Sequence, residues 1–178
     1  MSETHTSQVI VVGAGPVGLT LAYGLARAGV SVTVIETEPA ISRQLRASTF
    51  HPPTLDMLAR YGLSQTIIPQ GLVARYTQQR DRSEGVIAEF DMSLIAPDTD
   101  HPFRLQCEQW KLTDLIMAQL TQLPHVSLAF DSRVESVSQT ENSVSVNVRQ
   151  GDQLHIAHAV GCGGLHQSME FAVVFVQL

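Results

Sequence analysis

The sequence is short of charge, and the charge it has is the wrong sign for a polyanionic partner. Only 16 % of its 178 residues are charged and the net charge is −6, which argues against nucleic acid. Cysteine is nearly absent: Cys107 and Cys162 are the only two, they lie far apart, and they lack metal-ligand spacing. A metal site is therefore not expected, and both read as reduced, buried thiols of a cytoplasmic protein. No apolar run, including Phe171–Val176, approaches the ~20 residues that span a bilayer, so no membrane contact is expected. The polar start Met1–Ser7 has neither the basic nor the apolar region of a signal peptide and reads as a flexible N-terminus. Internal repeats and low-complexity tracts are also missing, which leaves one globular α/β domain over residues 1–178.

What is present begins with Val9-Ile10-Val11-Val12, a β-branched run that reads as a strand buried on both faces. Gly13-Ala14-Gly15-Pro16-Val17-Gly18 follows and opens directly into a helical pattern. Gly13 permits the tight turn, Gly15 lets backbone approach a pyrophosphate, and Gly18 lets helix and strand pack closely. Ala14 lies within the turn, and Pro16 suits the first helical turn, where its missing N–H costs nothing. The unpaired N–H groups and the positive end of the helix dipole then face phosphate. The helix is expected over Pro16–Ala28, with Val17, Leu21, Leu25 and Ala28 as its apolar face and Gly29 as its stop.

A second strand, Val30–Ile35, ends in Glu36, about 20 residues past the glycines, where a carboxylate accepts the hydroxyls of an adenosine ribose. An acid there repels the ribose phosphate of NADP, so the site favours FAD or NAD. Strand, glycines, helix, strand and acid in register carry far more weight than the glycines alone.

Beyond Glu36, Arg43 and Arg46 stand in a polar loop where a guanidinium fork is suited to phosphate or ribose oxygens. Thr54–Tyr61 reads as a short packing helix. Leu72–Arg80 and Gly85–Phe90 read as a hairpin that breaks the strand-helix rhythm, and Asp91–Pro102 as a loop. Together, residues of about 70–102 form a partial β-sheet insertion. Gln109 begins a helix whose apolar face is Leu112, Leu115, Ile116 and Leu120, and its amide stands where it can meet a ligand or solvent. Val126–Phe130 is expected to return to the parallel sheet. Arg133–Ser138, Ser143–Arg149 and Gln153–Val160 then form an antiparallel meander. His155 and His158, three apart on a strand, fall on opposite faces and do not form a metal site.

The glycine strand, Glu36, Arg46-Ala47, the hairpin and Arg104-Leu105-Gln106-Cys107-Glu108-Gln109-Trp110-Lys111-Leu112-Thr113 together resemble the N-terminal part of the single-component FAD-dependent aromatic hydroxylases, the para-hydroxybenzoate hydroxylase and phenol hydroxylase-like monooxygenases. The likeness covers residues of about 7–168. It implies a Rossmann-like FAD-binding βαβ fold with an antiparallel meander, and hydroxylation of a small phenolic substrate by O2 with NAD(P)H as transient reductant. It also implies that Glu36 holds the FAD ribose, Arg46 lies along the ribityl-pyrophosphate, Gln109 contacts the flavin, and backbone near Val134 approaches adenine. No catalytic residue is assigned, because the cofactor carries that chemistry.

Gly161-Cys162-Gly163-Gly164 resembles the family's second fingerprint, with Gly163 where the family has aspartate and Met169-Glu170 where it has Val-Arg. The third fingerprint, a Gly-Asp pair, is not found, and residues 169–178 form an atypical tail. The resemblance thus implies a truncated or frame-shifted relative, able to build the adenine side of the site and prone to self-association through exposed apolar surface. The alternatives are a non-catalytic FAD-binding remnant, a partner-dependent module, and an NAD-dependent dehydrogenase domain. The hairpin and meander count against the last of these.

Overall fold

Two compact units divide the chain, residues 1–43 with 113–178 and residues 44–112. The structure, a computed structural model, describes residues 5–45, 47–139, 143–160 and 173–175. In chain order the first unit begins with β1 (His5–Ser7), β2 (Val9–Val12), α1 (Pro16–Arg27) and β3 (Val32–Ile35). The second contains β4 (Thr49–Phe50), α2 (Pro52–Ala59), α3 (Ser64–Ile67), β5 (Leu72–Ala74), β6 (Tyr76–Asp81), β7 (Gly85–Asp91) and β8 (Arg104–Gln106). Helix α4 (Gln109–Leu120) returns the chain to the first unit, which continues with β9 (Val126–Ala129), β10 (Ser132–Gln139), β11 (Ser143–Gln150), β12 (Gln153–Val160) and β13 (Val173–Phe175).

The first unit is three layers. Its central sheet runs β13-β2-β3-β9, and every pairing in it is parallel. This explains why β2 and β3 read as continuous apolar runs: both of their faces are covered. Ile10 and Ile35 pack with Val144, Val146, Val148 and Ala157 of the meander, whose order is β1-β12-β11-β10. Val11 points the other way along the strand, toward α1, where a Cβ on Gly18 would lie 3.3 Å from its Cγ1. The alternating valines of β11 therefore cover one face of the parallel sheet and α1 the other.

Two expectations change. The buried face of α1 is Gly18, Leu19, Ala22, Tyr23 and Ala26, whereas Val17 is 52 % exposed and Ala28 lies at the surface. The small residues Gly18, Ala22 and Ala26, four apart, form the stripe on which the helix approaches the sheet, so reading by bulk selects the wrong side. His5–Ser7, expected to be flexible, pairs in parallel with Ala157–Ala159. Within the atypical tail, Val173–Phe175 adds to the parallel sheet beside Ile10–Val12.

The second unit is built on the small sheet β4-β8-β5. Phe50, Leu55, Leu58, Leu63, Ile67, Leu105, Cys107 and Leu112 are among its buried apolar side chains. The hairpin β6-β7 turns where Asp81 Oδ1 accepts the N–H groups of Ser83 and Glu84, at 2.7 and 3.1 Å, and Gly85 takes a φ of 82°. Leu72–Ala74, read from sequence as one strand with the hairpin, pairs instead with Arg104–Gln106. The expected insertion of about 70–102 is thus the hairpin-bearing part of a unit that runs over residues 44–112.

Candidate functional site

Gly13 makes the turn after β2 with a φ of 102°, a left-handed conformation that an L side chain resists, and its N–H donates to Ile35 O at 2.7 Å. The next N–H, on Ala14, donates to Glu36 Oε2 at 2.6 Å. Gly15 is the N-cap of α1, Pro16 occupies its first turn, and that turn carries no acidic residue. A Cβ on Gly18 would lie 2.1 Å from Gly13 O, so this position accepts hydrogen alone. All five predicted loop residues and Glu36 therefore meet at the ends of two adjacent parallel strands.

Glu36 is fixed from both sides by its main chain. Its N–H donates to Ala129 O at 2.8 Å and its carbonyl accepts from Ser132 N at 2.9 Å, while Oε1 accepts the N–H of Glu38 at 3.0 Å. Those bonds join the acid to the segment that leads into Val134, whose side chain packs against the unit's core. The strand register shifts between Val134 and Ser136, a bulge that bends β10 just past this point.

These residues fit the adenosine end of FAD. A carboxylate offers about four lone-pair sites. Two are used by Ala14 and Glu38, which leaves an acceptor on each oxygen for a ribose hydroxyl. The helix start offers N–H groups and dipole to a pyrophosphate without a competing carboxylate in its first turn.

The second unit places Gln109 at the first residue of α4, half-buried, with its N–H donating to Ala47 O at 3.1 Å. Cys107 N donates to Ser48 O at 2.8 Å, so residues 47–50 and 105–109 run side by side. Arg46 lies outside the described residues, as do Cys162, Gly163 and the rest of the second fingerprint. Arg43, of the first unit, pairs with Asp114 at 2.8 Å. Cys107 is a free, buried thiol; burial pushes its pKa up, which suits packing and not nucleophilic attack.

Sequence reasoning missed a polar cluster in the second unit. Asp56 Oδ1 meets His101 Nδ1 at 2.6 Å and its Oδ2 accepts the Thr99 hydroxyl at 2.6 Å. The His101 and Thr99 bonds hold the Asp56 carboxyl below its ordinary range. No spacing signal links residues so far apart in the chain. Among the described residues there is no His, Cys, Asp and Glu group able to hold a metal ion, and no helix is long and apolar enough to cross a membrane.

The family model described as "FAD binding domain" matches residues 6–173. Para-nitrophenol 4-monooxygenase of Pseudomonas sp. (strain WBC-3) is 37 % identical over 138 residues, covering 78 % of this chain and 34 % of the relative. The 6-hydroxy-3-succinoylpyridine 3-monooxygenase of Pseudomonas putida (strain DSM 28022 / S16) is 35 % identical over 139 residues, covering 78 % and 35 %. The chain thus spans about a third of the length of these relatives. The crystal structure of p-nitrophenol 4-monooxygenase from Pseudomonas putida DLL-E4 superposes with a TM-score of 0.82 at 33 % identity, over 88 % of this chain and 39 % of that one. The matched span runs from the strand before the glycine turn to the last strand of the parallel sheet, and so contains the whole Glu36 site: the chain belongs to the FAD binding domain family, whose cofactor is FAD.

Proposed function

We propose that this chain is the FAD-binding portion of a monooxygenase that hydroxylates a small phenolic substrate with NAD(P)H and O2. The observation that carries this reading is the likeness to p-nitrophenol 4-monooxygenase, which extends over both units at 33 % identity. Bound flavin would supply the redox chemistry, receiving a hydride and delivering oxygen to the ring. The protein's own part is binding and positioning. Glu36 holds the ribose hydroxyls, and the turn Gly13-Ala14-Gly15-Pro16 with Gly18 presents backbone N–H groups to the pyrophosphate. Arg46 adds charge along the ribityl-pyrophosphate, Gln109 orients the flavin, and backbone near Val134 borders the adenine.

The free thiol of Cys107 favours a reducing compartment, and with it the cytoplasm. Leu72, Ile87, Phe90 and Leu94 are each exposed in the second unit, which supports self-association or burial against further protein.

A second reading, FAD binding without turnover by this chain alone, draws on Gly163, which cannot supply the charge-assisted bonds of the aspartate in the resembling fingerprint. NAD(P)H oxidation by the purified, FAD-loaded chain, stimulated by a phenol and yielding a hydroxylated product, separates the two. Stimulated oxidation with product supports the monooxygenase; a chain that retains FAD but oxidises no NAD(P)H supports the second reading.

A further inference from the structure

Among the described residues, Asp131 is the one non-glycine with a positive φ, 50°. Aspartate tolerates this left-handed region better than most side chains, yet such a conformation persists only where its surroundings hold it. Asp131 lies between β9 and β10 with its side chain exposed, so the hold is exerted through the main chain.

The hydrogen bonds show what the conformation does. A regular parallel ladder would bond the peptide of Glu36 to residues two apart on the neighbouring chain, Ala129 O and the N–H of Asp131. Glu36 N–H does donate to Ala129 O at 2.8 Å, but the Glu36 carbonyl accepts from Ser132 N at 2.9 Å instead. Asp131 is therefore an extra residue, a bulge beside the end of β3. Its N–H, freed from the ladder, donates to Glu38 O at 3.1 Å. Ser132, 2 % exposed, closes the turn by donating its hydroxyl to Phe130 O at 2.8 Å. Glu38 in turn donates its N–H to Glu36 Oε1, and Glu36 Oε2 accepts from Ala14 N. A continuous line of hydrogen bonds thus runs from the bulge through the Glu36 carboxylate to the glycine turn.

We propose that Asp131 is a positioning residue for FAD: its left-handed bulge holds residues 36–38 so that the Glu36 carboxylate stands where the ribose is bound. This rests on the assignment of Glu36 to the FAD ribose. The effect comes from the backbone, and the Asp131 carboxylate is dispensable. A residue that resists the left-handed region releases the bulge in the free protein, and FAD must then restore it on binding. Affinity falls by the cost of that restoration, about tenfold for a β-branched side chain.

The test is titration with FAD at a temperature where each variant is folded by circular dichroism. Asp131→Gly and Asp131→Asn, which accept the conformation, bind FAD as the parent does. Asp131→Val binds it about tenfold more weakly, and Asp131→Ala, which carries the test if the valine variant does not fold, about threefold to tenfold more weakly. In a Glu36→Ala background, with no carboxylate left to position, the same substitution costs less than about twofold.

An Asp131→Val or Asp131→Ala chain that melts lower but binds FAD as tightly as the parent marks a turn that serves stability alone, and overturns the proposal. So does a loss in Asp131→Gly or Asp131→Asn, which assigns the effect to the side chain, or a full loss in the Glu36→Ala background, which assigns it elsewhere. Glu36→Ala alone judges the underlying assignment. Parent-like affinity in that variant, or no FAD binding by the parent, removes the Glu36 site and the proposal with it. A site that depends on Glu36 but is indifferent to Asp131 removes the proposal alone.

Discussion

The carboxylate of Glu36 accepts the N–H of Ala14 at 2.6 Å, tying the end of β3 to the glycine turn that ends its parallel neighbour β2. The acid therefore shapes the loop, and in the proposed reading it also holds the ribose. Glu36→Gln keeps an acceptor for Ala14 but loses the charge, and FAD affinity falls about tenfold to a hundredfold with little change in melting temperature. Glu36→Ala also leaves the Ala14 N–H without its partner and lowers stability by about 1–3 kcal/mol. FAD titration and urea denaturation of both variants check the separation.

Gly18 is confined by backbone. A methyl group there meets Gly13 O at 2.1 Å, and a carbonyl in a strand-to-helix turn has little freedom to retreat. Gly18→Ala costs roughly 3 kcal/mol or more and abolishes FAD binding, because relief comes only by moving α1 off the turn. Gly29→Ala is the control: its φ is 81° but its Cβ meets open space. It costs about 1–2 kcal/mol and leaves FAD affinity unchanged.

The layer between parallel sheet and meander supports the site from beneath. Ile10 is fully buried there, while Ile87, on the hairpin, is 64 % exposed. Ile10→Ala destabilises by about 2–5 kcal/mol in urea unfolding, and Ile87→Ala stays within about 0.5 kcal/mol. Equal losses would contradict the placement of the core.

Much of this was legible in the sequence because local and long-range signals agree around residues 9–36. Four β-branched residues, three glycines and a distant acid each demand the same parallel βαβ geometry, and the structure forms it. The valine alternation of β11 likewise gave the meander. The buried face of α1 was misread because Gly18, Ala22 and Ala26 lack bulk and make contact by being small. Leu72–Ala74 could not be assigned to β8, since its register is decided by Arg104–Gln106, some thirty residues away. Arg104 stood within the motif that carried the family resemblance, and only the structure shows its Nε closed to solvent.

The Asp56 cluster makes part of the second unit's stability pH-dependent. The His101 ring nitrogen and the Thr99 hydroxyl lower the Asp56 pKa in the folded state. A depressed carboxyl pKa contributes stability that is present above its unfolded value of about 3.9 and lost as pH falls through the folded one. Asp56→Asn therefore melts below the parent at pH 7, and the two melting curves draw together as pH falls below the range in which the unfolded carboxyl ionises. A gap that persists unchanged into acid would show that the ionised carboxylate is not what holds Thr99 and His101.

The most direct test of the central claim is titration of the purified chain with FAD, followed by flavin absorbance and by melting temperature. The Glu36 site predicts a yellow protein with one FAD per chain and a raised melting temperature, both weakened in Glu36→Gln. A folded chain that FAD neither colours nor stabilises would contradict the assignment of Gly13–Gly18 and Glu36 as a working FAD site.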